Sequence, residues 1–248
     1  MIVGAGEHVM RVLLSRSIEN FEPDATNGAD GLIMTLPDTP EERASFSESL
    51  RKIRSSLAIP LLIRVAPIEN ARIDEDLALV MPHAPDGIVL PTCSGRMDVQ
   101  HLGCKLAVHE TLNGFADGKL MIFAEAGETP AACFTLHTYT KASPRLAGLI
   151  HSPARLATAL NIEWTVSSKE EDTGSPLALA KAQVVLAAAS AHVPALIQYS
   201  HPGQNGENPT STPETGLLLH EKARQSGYAG AIVEEDILVP VIASIFSR

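Results

Sequence analysis

LAGLIHSPARLATAL, residues 146–160, reads as a buried strand that turns straight into a short amphipathic helix. Continuous apolar runs suit strands covered on both faces, as parallel strands flanked by crossover helices are. The turn between strand and helix is where such proteins keep their chemistry. Here it offers His151, Ser152 and Arg155, with no carboxylate in the fifteen residues.

The same unit recurs along the chain. Working outward in both directions, apolar runs occur at 11–15 (RVLLS), 31–36 (GLIMTL), 60–65 (PLLIRV), 86–91 (DGIVLP), 119–124 (KLMIFA), 146–151, 193–198 (VPALIQ) and 229–233 (AGAIV). Helical patterns lie between them. One spans Thr39 to Leu57, with Thr39 as cap, Pro40 in the first turn and Glu42 completing a capping-box pattern. Residues 176–192 open on Pro176 and are dense in alanine and leucine; residues 213–227 follow Thr212 and stop at Gly227.

Eight strands alternating with helices predict a single-domain α/β fold, a (β/α)8 TIM barrel over residues 1–248. Residues 1–10 are then an N-terminal extension and 234–248 an extra C-terminal helix. An open doubly wound sheet is the alternative, but GAGEHVM near the start is an incomplete glycine fingerprint with no room for a strand before it. Residues 163–175 and 201–213 are polar loops leaving the C-terminal strand ends, where they read as lids, oligomer contacts or plain surface.

Nineteen Lys and Arg against 29 Asp and Glu leave a net charge of -10, and no basic run follows a phosphate backbone, so neither nucleic acid nor an anionic membrane is an expected partner. Three cysteines without a CxxC pair fit a reducing cytoplasm, not a disulfide framework or structural zinc. No signal peptide or stretch of ~20 apolar residues is read.

At the C-terminal strand ends the candidates are Ser15, Arg16, Thr35, Asp38, Arg64, Glu69, Thr92, Cys93, Glu125, Glu128, His151, Arg155, Tyr199, His201, Glu234 and Glu235. Arg64 interrupts an apolar strand, so it either clamps a ligand carboxylate or pairs with an acid such as Asp38 for structure. Glu125 and Glu128 are potential ligands of a hard cation, or caps of the following helix. His151 and His201 are potential bases or hydrogen-bonded structural groups, and Cys93 lacks a neighbour that would activate it.

The segments NGADGLIMTLPD (27–38), PLLIRVAP (60–67), APDGIVLPTCSGRMDV (84–99), AEAGETPAACFTLHTY (124–139), SPRLAGLIHSPARLATALN (143–161) and VPALIQY (193–199) occur in an order that resembles the citrate lyase beta-subunit and malyl-CoA lyase branch of the HpcH/HpaI aldolase family. The resemblance covers about residues 11–246. It implies a (β/α)8 barrel and Mg²⁺-dependent cleavage or formation of a carbon–carbon bond beside a CoA thioester. It also implies a homo-oligomer, a trimer or a multiple of one.

Residue by residue, the resemblance assigns substrate binding to Arg11 and Arg64, a metal-ligand role to Glu128 and an orienting role to Asp38. Several positions depart from the pattern. Thr35, Leu36 and Pro37 precede Asp38 where an Asp-Leu-Glu-Asp run is usual, Thr92 replaces a lysine, and Val233-Glu234-Glu235 replaces Ile-His-Pro. The second metal-binding acid, in a Gly-Ala-Glu-Asp turn, is here Arg155 within Ser152-Pro153-Ala154-Arg155. That exchange alters the local charge by about two units.

The expectation is that Arg155 stands in the metal's place, pairs with Glu128 and contributes to substrate binding, with Mg²⁺ held weakly or not at all. A solvent-facing helix residue is its bland alternative. The chain then reads as a divergent carbon–carbon lyase acting on a small keto acid or acyl-CoA thioester. A non-catalytic paralogue, binding a metabolite or serving as an assembly subunit, is the second reading.

Overall fold

Every apolar run becomes a strand in the computed structural model, which describes residues 10–18, 26–163, 175–199 and 213–247. The strands are Val12–Arg16 (β1), Gly31–Thr35 (β2), Leu61–Arg64 (β3), Gly87–Cys93 (β4), Met121–Ala126 (β5), Leu146–His151 (β6), Ala195–Gln198 (β7) and Gly230–Val233 (β8). All pair in parallel with their sequence neighbours, and β8 pairs with β1, which closes the barrel. Residues 1–9, the centres of both polar loops, His201 and the Thr212 cap lie outside the described residues.

Helices Pro40–Ser56 (α1), Ile73–Val80 (α2), Arg96–Leu112 (α3), Pro130–Thr135 (α4), Pro153–Ala159 (α5), Pro176–Ala191 (α6), Pro213–Gln225 (α7) and Val239–Phe246 (α8) accompany the strands, two of them between β6 and β7. The local chemistry is as expected for α1. The Thr39 hydroxyl accepts from the Glu42 amide and Pro40 fills the first turn. The C-terminal helix α8 packs on β1, β8 and α7, covering the closing seam. Among the described residues no helix is long and apolar enough to cross a membrane.

Strand residues alternate in direction, so the buried side chains fall into two sets. Leu13, Ile33, Leu62, Val89, Phe123, Ile150, Leu196 and Ile232, one from each strand, fill the barrel interior. The other set faces the helices in a larger cluster. At the seam, Gly230 lies so close to β1 that a Cβ would collide with the Arg11 carbonyl oxygen, which itself accepts from the Ala231 amide at 2.7 Å.

Carboxylates bind the N-terminal ends of the strands together. Asp30 accepts from the amides of Arg11 and Val12, at 2.8 and 2.9 Å, and Asp86 accepts from the Leu61 amide at 2.8 Å. Glu110 takes both ends of the Arg145 guanidinium at 2.7 Å and also accepts from the Leu120 and Gly118 amides. Burial tends to raise its pKa, but Arg145 and the two amides together hold it below the usual carboxylate range.

Removing Glu110 leaves the mostly buried Arg145 to the exposed Asp117 and strips two amides of their acceptor. Glu110→Ala is therefore expected to cost about 3–5 kcal/mol, read from urea midpoints at neutral pH. Because the folded carboxyl is depressed, its contribution is present above the unfolded pKa of about 4.3 and is lost as pH falls through the folded value. The gap between wild type and variant should narrow in acid; a gap independent of pH would refute the assignment.

Candidate functional site

Two residues beyond the interior apolar layer, the same inward direction carries Ser15, Thr35, Arg64, Pro91, Glu125, Ser152, Gln198 and Glu234 at the C-terminal ends of the strands. The alternation that builds an apolar plug thus ends in a ring that is polar at seven of eight positions. Arg64 is its centre. Its Nε donates to Glu125 Oε1 at 2.6 Å, Nη2 to Gln198 Oε1 at 3.1 Å and Nη1 to Thr35 Oγ1 at 3.2 Å. The strand-embedded guanidinium is 3% exposed, and its acid is Glu125, not Asp38.

The β5–α4 turn adds the second acid. Gly127 adopts φ +68°, a left-handed conformation that other residues enter at a cost, between Glu125 and Glu128. A side chain there would press on Val184 at 3.1 Å and His151 at 3.4 Å. Thr129 caps α4 through the Ala132 amide, which leaves Glu128 to turn toward α5. There Arg155 Nη1 lies 2.9 Å from Glu128 Oε2 and 3.4 Å from Glu125 Oε2. Arg155 therefore closes on Glu128 as expected, and reaches Glu125 as well.

Burial pushes the Glu128 carboxyl up to about 8, and the neighbouring Glu125 carboxylate adds to the rise; Arg155 and Arg64 oppose it without prevailing. The two acids and the two guanidiniums thus form one cluster of opposed charges at the mouth of the barrel.

A divalent cation does not fit these residues. Both oxygens that would bind it, Glu125 Oε2 and Glu128 Oε2, face the same Arg155 nitrogen. Among the described residues no group of three or more His, Cys, Asp or Glu side chains is arranged to hold a metal ion.

Other candidates lie elsewhere. Asp38 is on the surface, its side chain 91% exposed and paired with Arg72 at 3.0 Å. Arg11 precedes β1, at the N-terminal end of the barrel and opposite this cluster. The arginine at the C-terminal end of β1 is Arg16, paired with Asp236 at 2.6 Å. His151 follows Ile150 and so points outward, with Nδ1 donating to the Ala126 carbonyl at 3.0 Å; burial pulls its pKa down to about 4, which keeps it neutral. Burial raises the Cys93 thiol to about 12, far from a thiolate. Gln198 and Ser152 were not singled out by position along the strands, though counting two residues on from Leu196 and Ile150 finds both.

No protein-family model matches the chain's sequence, and no curated protein does. Solved structures do. RipC from Yersinia pestis aligns with a TM-score of 0.69 at 20% identity, covering 96% of this chain and 95% of that one. A citrate lyase from Burkholderia xenovorans LB400 aligns with a TM-score of 0.77 at 14% identity, over 96% and 77%. The protein CitE from Mycobacterium tuberculosis, in complex with magnesium, acetoacetate and coenzyme A, aligns with a TM-score of 0.67 at 16% identity, over 97% and 82%. The barrel is shared. At such identities nothing beyond the fold follows.

Glu128→Gln copies the protonated acid and tests its charge state. A raised folded pKa means stability is fully present below about 4.3 and is lost as pH climbs through about 8. The variant should melt close to wild type near pH 4, pull progressively above it as pH rises from about 4.3 to about 8, and keep that lead at higher pH. Melting curves that keep a constant offset across this range would show that Glu128 is ionised throughout.

Proposed function

We propose that the chain is a divergent carbon–carbon lyase or aldolase of the citrate lyase beta-subunit type, working without a divalent metal on a small keto acid or acyl-CoA thioester. The observation that carries this reading is the Arg155 guanidinium set between Glu125 and Glu128. Support also comes from barrels of the same fold, one of which is a complex with magnesium, acetoacetate and coenzyme A. Arg155 supplies hydrogen bonds and a single charge to a ligand carboxylate or a developing enolate oxygen.

Arg64 contributes from below. Three of its five N–H groups are taken by Glu125, Thr35 and Gln198, and two are left to a ligand carboxylate. Asp38 and Arg11, on the outer surface and at the far end, take no part in this reading. Three free cysteines support a reducing, cytoplasmic setting. Exposed Leu179 and Leu186 on α6 support assembly into a trimer or a multiple of one, which light scattering would test.

A specific observation favours a second reading, binding without turnover. Arg64 is buried and held on three sides, which suits fixed recognition better than shifting charge. One set of measurements separates the two. Calorimetry with oxaloacetate in excess EDTA should give binding that added Mg²⁺ leaves unchanged. Arg155→Ala should weaken it about 10- to 100-fold, the worth of one or two charge-assisted hydrogen bonds. Cleavage of malyl-CoA or citramalyl-CoA in EDTA supports the lyase, binding without cleavage supports the second reading, and activity that requires Mg²⁺ overturns the proposal.

A further inference from the structure

We infer that Glu125, Ser152 and Gln198 form a hydrogen-bonding subsite for an uncharged ligand group that both donates and accepts, a hydroxyl or a carboxamide, and that the subsite prefers such a group to a bare carbonyl or a second carboxylate. The inference rests on the proposed binding of a small carboxylate at this face and adds the chemistry of the group beside that carboxylate.

Glu125 lies in β5, Gln198 in β7, and Ser152 directly follows β6 between them; the strand alternation aims all three into the barrel, and all are at most 1% exposed. Glu125 Oε1 and Gln198 Oε1 accept from Arg64 Nε and Nη2, the two donors along one edge of the guanidinium. That edge fixes the carboxylate and the amide side by side. It also fixes which atoms remain, Glu125 Oε2 and Gln198 Nε2, and among the described residues neither has a hydrogen-bond partner. Ser152 Oγ, one residue past the strand between them, is buried and also lacks a hydrogen-bond partner; although Ser152 precedes α5, its side chain makes no cap.

Buried polar atoms of this kind are costly unless something satisfies them, and three together from three neighbouring strand ends make a built site rather than a stray defect. Their chemistry selects the group. Gln198 Nε2 can only donate and Glu125 Oε2, facing Arg155 at 3.4 Å, can only accept, while the Ser152 hydroxyl does either. A hydroxyl or carboxamide meets donor with acceptor and acceptor with donor. A carbonyl oxygen turns its lone pairs on Glu125, and a carboxylate adds a like charge. Arg155, whose side chain is 20% exposed against 1% for Glu125, reaches both the subsite and solvent, where it meets the ligand's own carboxylate.

The test compares matched ligands by calorimetry in EDTA: malate with oxaloacetate, and succinamate with succinate. In the wild type the hydroxyl and amide ligands should bind at least about tenfold tighter than their partners, since sites built to hydrogen-bond a group discriminate strongly against analogues lacking it. Ser152→Ala, which removes no cap, and Gln198→Met should each bring both ratios toward unity; the ratio remains readable even if one variant is unstable. Equal affinities in the wild type, or a preference that survives both variants, would overturn the subsite and leave metal-free carboxylate binding standing. Binding of none of the four ligands would overturn both.

Discussion

A guanidinium inside an apolar barrel must be neutralised and hydrogen-bonded, and the strand-end face is organised around how Arg64 meets that demand. A lone charge in such a place would cost several kcal/mol. Glu125 supplies the opposite charge at 2.6 Å, and Thr35 and Gln198 occupy the other donors. Residues from four strands are thereby held in fixed relation. Glu125 in turn raises the proton affinity of Glu128, and both acids turn outward to Arg155. The chain of consequence runs from one residue in β3 to a guanidinium on α5.

Much of this was legible before any coordinates. The eight continuous apolar runs correspond to the eight strands within two residues at every end. Thr39 with Pro40 placed α1, and the pairing of Arg155 with Glu128 followed from an acid replaced by a base. What stayed hidden depended on direction and register. Nearness to a strand end marked His151 and passed over Ser152, yet Ile150 fills the interior, so Ser152 points inward and His151 outward. Arg11, matched through the resemblance, opens the first apolar run and so lies at the far end, whereas Arg16, a strand-end candidate, lies at the mouth. The partner of Arg64 depended on side-chain reach across the barrel, which linear spacing does not encode.

The two ends of the barrel use charge differently. At the N-terminal end, Asp30, Asp86 and Glu110 each accept backbone amides of strand starts, so every carboxylate there is spent on the fold. At the C-terminal end, carboxylates and guanidiniums mostly face one another, leaving donors and acceptors for something else. Conservative exchanges at the first end therefore remove strand ties, whereas at the second they change which charge is presented.

The amide-binding acids at the base carry an implication for variation. Because they hold the strand starts together without help from the mouth, the mouth is free to vary: the charge carried in the first turn of α5 can change while the scaffold beneath keeps its register. A barrel anchored in this manner separates the residues that keep its architecture from those that set its chemistry.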